Sequence, residues 1–175
     1  VCGLSGKLHT APCNPSVNNG VEQRIDDGYD EFHWSHHPRN DWATNEYHHW
    51  LREQGVEYHV ENYNGSKYVQ AGMPATYHQT TWCAEKAINF IHANAKYENR
   101  WLFSVNIFAP HHPFAPPLEY LERYLDKLDQ IPLPNYQAGE LDDKPIFQQN
   151  DHERAYNTPG LFPFTEMSDN DHRLV

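Results

Sequence analysis

Trp101-Leu102-Phe103-Ser104-Val105-Asn106-Ile107-Phe108 places an apolar residue at every odd position, with Ser104 and Asn106 on the other face. Alternation with period two over such a run is the pattern of a strand. Ala109-Pro110 stops it, and His111-His112-Pro113-Phe114 follows at once. Just upstream, Ala84, Ala87, Ile88, Ile91 and Ala95 stand close to the i, i+3, i+4, i+7 spacing of one buried helix face. This predicts a helix capped by Thr81 with Glu85 in its first turn. A helix leading into a strand of this kind predicts an α/β sheet.

Working outward, Val1-Cys2-Gly3-Leu4 reads as the tail of a second strand, which ends near Gly6-Lys7-Leu8-His9. Residues 10–80 show little sustained periodicity, except that Tyr47, Trp50 and Leu51 have helical spacing within 45–54 and Gly55 closes that short helix. Pro116-Pro117 precede Leu118, Leu121, Leu125 and Leu128, a short helix with a proline start. The prolines, glycines and acidic residues of 131–163 read as a long surface excursion. Ser168 or Asp169 then caps a further helix that is just starting when Val175 is reached. With Val1 rather than Met at the other end, residues 1–175 are expected to be an internal segment of a single catalytic domain, cut at both ends.

The net charge of −11 argues against a nucleic-acid or anionic-membrane partner. No run of apolar residues approaches the roughly 18 needed to span a bilayer. Leu, Ile, Val and Phe total only 34 of 175 residues, but 5 Trp and 11 Tyr supply the buriable surface of a folded chain. The cysteines, Cys2, Cys13 and Cys83, are odd in number and widely spaced, and so define neither a zinc site nor a disulfide framework.

Ligands of open α/β sheets collect at the carboxyl ends of strands. That rule singles out Lys7 and His9 after one strand and His111 after another. Lys7 can neutralise an anionic oxygen as a point charge, and imidazoles can move protons near neutrality. One cation with two acid/base groups suits an anionic ester. By spacing alone, a solvated loop lysine and a hydrogen-bonded histidine are the simpler reading of Gly6-Lys7-Leu8-His9.

Five stretches occur in the order found in type I, formylglycine-dependent sulfatases. They are Gly6-Lys7-Leu8-His9, Asp27-Gly28-Tyr29-Asp30-Glu31-Phe32, Trp34-Ser35-His36-His37-Pro38, His78-Gln79-Thr80-Thr81-Trp82 leading into Ala87-Ile88-Asn89-Phe90-Ile91, and Pro110-His111-His112-Pro113-Phe114. The chain resembles the middle of such an enzyme from about Gly6 to Asn135. The resemblance implies the alkaline-phosphatase-like fold, a sandwich with a central mixed sheet flanked by helices. It also implies hydrolysis of sulfate monoesters, sulfated carbohydrates among them, by the full-length parent, the segment alone being inactive. Calcium and a formylglycine made from Cys are the implied cofactors, with their residues outside 1–175. Lys7 is then the sulfate-binding cation, and His9 takes the formylglycine hydroxyl proton. His111 binds sulfate and protonates the leaving alcohol. The family also implies a periplasmic or secreted location.

Other readings stay open. A phosphodiesterase or phosphonate monoester hydrolase of the same fold makes similar demands on the site. From another class comes a non-catalytic, His-rich module binding a metal or a glycan through some of the thirteen histidines. Cys13-Asn14-Pro15-Ser16-Val17 imitates the nucleophile motif but has Val17 where the family has Arg, and is read as a loop. His33, His36 and His37 can be drawn as a metal cluster, although the family match favours a structural or substrate-side loop. His48 and His49 are assigned to surface and packing, and His78 to capping. Of His111 and His112, extended backbone would allow one to reach the sulfate. Asp26, Asp27, Asp30 and Glu31 are read as a solvated turn.

Overall fold

The computed structural model describes residues 1–10, 28–98 and 100–175. Cys13, Asp26 and Asp27 therefore lie outside the described residues. In chain order the elements are β1 (Cys2–Gly6), β2 (Glu31–Trp34), α1 (Glu46–Glu53), β3 (Glu61–Asn62), β4 (Gln70–Ala71), α2 (Gln79–Asn94), β5 (Leu102–Asn106), α3 (Leu118–Leu125), α4 (Ile146–Glu153) and α5 (Asp169–Leu174). They form two units, Val1–Val60 with Gly72–His112, and Glu61–Ala71 with Pro113–Val175.

The first unit is mixed α/β. Its sheet runs β2-β1-β5 with both pairings parallel. Gly6 is in register with Trp34 on one side and with Asn106 on the other, so the three strands end level with one another. Leu4 and Ser5 of the central strand are fully buried. Ser5 Oγ donates to the Cys83 carbonyl at 2.9 Å, which ties β1 to α2. Gly6 ends β1 at φ 102°, a conformation that L residues rarely adopt. A Cβ there would also collide with the Asn106 carbonyl group. Glycine is thus what lets β1 turn out of the sheet beside β5.

Helix α2 packs across β1 and β5, but on a different face and from a different cap than the aliphatic spacing predicts. It starts at Gln79, with His78 as N-cap accepting from the Thr80 N–H at 3.2 Å. Thr81 instead donates its hydroxyl to the Ala75 carbonyl at 2.6 Å. The buried residues are Gln79, Trp82, Cys83, Ala87 and Phe90, whereas Ile88 and Ile91 are 50% and 39% exposed. The two large rings bury more apolar area than the isoleucines and so set the rotation of the helix. Phe90 meets Phe103 of β5 at 4.8 Å between centroids. The predicted strand stands at Leu102–Asn106, with Leu102 and Val105 exposed.

Tyr47, Leu51, Met73, Trp82 and Cys83 form the main apolar cluster of this unit. Asn45 caps α1, and Gly55 follows that helix at φ 71°. In the second unit β3 and β4 pair antiparallel. Its core gathers Tyr68, Ala155, Phe162 and Met167. Pro117 precedes α3, which buries Leu121, and a capping box of Ser168 with Asp171 opens α5. The surface excursion expected over 131–163 is largely exposed, and it carries one helix that the sequence pattern does not announce, α4. Its leading residues Ile146 and Phe147 are exposed, so no buried stripe marks it in the sequence. No helix among the described residues is long and apolar enough to cross a membrane.

Candidate functional site

Because the three strands end level, the segments leaving them converge. After β1 come Lys7 and His9, after β2 Ser35, His36 and His37, and after β5 Phe108, His111 and His112. The first two exits are fixed to the sheet by backbone. Lys7 N–H donates to the Asn106 carbonyl at 2.8 Å, Asn106 Nδ2 donates back to the Lys7 carbonyl at 2.9 Å, and Ser35 N–H donates to the Gly6 carbonyl at 2.9 Å.

Phe108, 6% exposed, is the hub of one half of the site. The Lys7 ammonium lies 5.0 Å from its ring centroid, and the His37 and His111 rings each lie 4.8 Å from it. His36 is the hub of the other half. Its ring stands edge-on to His9 at 4.4 Å and packs against Trp34 and Trp42 at 5.9 and 6.5 Å. The structure therefore brings Lys7, His9 and His111 to one place, together with His36 and His37. His112 joins them at 4.6 Å from His111, because residues 111–113 form a bend and not the extended backbone that would part the two rings.

Helices α1 and α2 hold the β2 exit rigidly. Gln79, 2% exposed at the start of α2, donates through Nε2 to Ser35 Oγ at 2.6 Å and to the Ser35 carbonyl at 3.2 Å. Asn45 donates to the carbonyls of His37 and Asn40 at 3.0 and 2.7 Å while capping α1. His48 Nε2 donates to the Pro38 carbonyl at 2.7 Å. A buried loop whose carbonyls are met by side chains is positioned as firmly as a helix turn.

Hydrogen bonds also fix where the imidazole protons are. The Arg39 N–H donates to His37 Nδ1 at 3.1 Å, so that nitrogen carries a lone pair and His37 is the Nε2–H tautomer. His111 Nδ1 donates to the His112 carbonyl at 2.6 Å, which fixes that nitrogen as the N–H and orients the ring. Burial, then Lys7 and His9, push His36 down to about 4, against a hydrogen bond to the Leu8 carbonyl that works the other way. Burial, then Arg39 and His36, push His37 down to about 4 as well. His112 is lowered by burial and by His111 and Lys7. The charged neighbours acting on these rings are cations or imidazoles, which disfavour a further positive charge on them.

The proposed His33, His36, His37 metal cluster does not assemble. His33 turns away to Glu46 at 2.9 Å and Glu31 at 3.7 Å. Among the described residues no group of three or more His, Cys, Asp or Glu side chains is arranged to hold a metal ion. Imidazoles around an ammonium also do not offer the oxygen shell that calcium takes, so these residues do not fit that ion. Asp30, read as a solvated carboxylate, accepts the Cys2 N–H at 2.8 Å and helps seat β1. His48 is buried and His49 exposed. Sequence reading missed Gln79 and Asn45 as loop anchors. It assigned His36 and His37 to a structural or substrate-side loop and not to the strand-end set, because β2 is only four residues long and its strand pattern is too brief to mark a carboxyl end.

No family model matches the chain. It is 30% identical over 79 residues to an uncharacterized sulfatase, YidJ, of Escherichia coli, a match covering 43% of this chain and 14% of that protein. The chain thus spans about a seventh of the relative's length, and the likeness points to a sulfatase-like relationship and no further.

Proposed function

We propose that the protein containing this chain hydrolyses sulfate monoesters, with sulfated carbohydrates as a substrate class, and that Lys7, His9 and His111 act on the ester. The observation that carries the reading is the meeting of the Lys7 ammonium and the His111 ring around one buried phenylalanine, Phe108, at 5.0 and 4.8 Å from its ring centroid. A fixed cation stabilises charge developing on sulfate oxygens, and an alkoxide leaving group needs a proton. Lys7 supplies the first. His111, oriented through Nδ1, supplies the second from Nε2 to the oxygen of the breaking S–O bond. His9, edge-on to His36, holds and moves a proton. Formylglycine and calcium, both held by residues outside 1–175 in this reading, would supply the attacking hydroxyl and a further positive charge. The 175-residue segment alone is expected to be inactive.

The test is His111→Ala in the full-length protein, measured on an aryl and on an alkyl sulfate ester. An alkyl leaving group depends on the proton far more, so its kcat/KM should fall by about a thousandfold and that of the aryl ester by about tenfold. Equal losses would remove His111 as the leaving-group acid. Faster turnover of matched phosphate esters than of sulfate esters would transfer the site to phosphoryl chemistry.

A further inference from the structure

His36 is 9% exposed, edge-on to His9, flanked by two tryptophans, and within electrostatic reach of Lys7 and His9 from the β1 exit and His111 from the β5 exit. On its own loop it faces His37, and Arg39 acts on that neighbour. One of its ring nitrogens donates to the Leu8 carbonyl, which leaves the other nitrogen as the atom that gains or loses a proton. His37 differs. Its Nδ1 is committed as acceptor to the Arg39 N–H, so it presents an Nε2–H donor without needing a second proton.

We propose that His36 and His37 are part of the oxyanion site, with His36 taking up a proton as a tetrahedral oxyanion enters and His37 acting as a neutral donor. The proposal rests on the oxyanion-ester reading above and extends it to two residues and a proton count. Its physical basis is reciprocal. A buried imidazole among cations is held neutral, and an anion brought within about 4–6 Å favours the charged form by one to three pKa units. That raises the ring from about 4 into the weakly acidic range. Anion binding and proton binding must then strengthen each other.

The experiment is calorimetric titration of the full-length protein with inorganic sulfate, in two buffers of different ionisation enthalpy. Near pH 5.5 the unsubstituted protein should take up roughly half a proton or more that His36→Gln does not, and should bind sulfate about tenfold more tightly than near pH 8. His37→Gln should weaken binding similarly at both pH values and leave the uptake intact. Uptake that is absent, or unchanged in His36→Gln, overturns the proposal. Should that variant unfold, ring-nitrogen NMR of the unsubstituted protein reads the same proton. His36 becomes an imidazolium on adding sulfate, or the idea fails. A parallel arm with inorganic phosphate distinguishes the two oxyanions. Linked uptake with sulfate but no ester hydrolysis would sink the hydrolase reading alone, and hydrolysis without linked uptake would sink this inference alone.

Discussion

Between His33 and His36 the chain passes from one histidine environment to its opposite. On the outer side, a cleft of about 580 Å³ is lined by Phe32, Trp34, Glu46, Trp50, Glu53 and Lys86 among others, and His33 reaches Glu46 at 2.9 Å beside it. At the strand exits, His36 has Lys7, His9 and His111 for neighbours and lies in the protein interior. Trp34 belongs to both places, lining the cleft and touching His36. The first histidine has ready-made counter-charges in a wet setting, where pairing alters little. The second is acted on by Lys7, His9 and His111, each of which disfavours its charged form. Identical side chains a few residues apart thus stand in opposite electrostatic settings through what the fold places beside them.

The comparison breaks most severely if the strand exits move. Gly6→Ala forces a residue with Cβ into φ 102° and drives that atom against the Asn106 carbonyl, at the point where β1, β2 and β5 end level. Backbone strain and a clash with a neighbouring strand together should cost on the order of 3 kcal/mol. Chemical denaturation of the variant should reveal a loss of that size. Activity should collapse even where the fold survives, since Lys7 hangs directly from this turn.

A smaller effect separates the two histidine environments by pH. His36 and His37 sit at about 4 in the folded protein against an ordinary value of 6.5. The unfolded chain therefore binds more protons than the folded one between those values, and stability must fall as pH falls through that window. The contribution is fully present above about pH 6.5 and fully lost below about pH 4. Denaturation midpoints of His36→Gln should decline less between about pH 7 and pH 4.5 than those of the unsubstituted protein. Parallel decline would place the acid sensitivity elsewhere.

The sequence reveals these regions unequally. The strand over Leu102–Asn106, the β1 exit at Gly6 and a cap at Ser168 are local signals, and the structure has each where the residues place it, whereas α2 is capped by His78 and not by Thr81. The all-parallel pairing of the small β2-β1-β5 sheet is seen only in the structure, but the fold class follows from these signals as α/β. The face of α2 does not, because Ile88 and Ile91 satisfy the helical spacing as well as Trp82 and Phe90 do, and only the tertiary choice to bury rings breaks the tie. In the site, Lys7, His9 and His111 can be named because each follows a recognisable strand end. Gln79 and Asn45 cannot, since their role depends on carbonyls of Ser35, His37 and Asn40 that are brought to them from 44, 8 and 5 residues away.

The smallest expected effect lies on the outer side, and it is the sharpest control. Glu46→Gln removes the nearer counter-charge from His33 while leaving Glu31 at 3.7 Å, in a pair whose side chains are 25% and 39% exposed. Partly exposed ion pairs contribute about 1 kcal/mol or less, because water and salt screen them and ordering the side chains opposes the gain. Glu46 also stands in the first turn of α1, where a negative charge favours the helix by a few tenths of a kcal/mol, roughly. Denaturation should therefore report a loss below about 1.5 kcal/mol, diminished in high salt. Sulfate-linked proton uptake should be unaltered, because His33 is not among the groups acting on His36. A change in uptake on substituting Glu46 would mean that the two environments communicate through Trp34 and that the division between them is wrong.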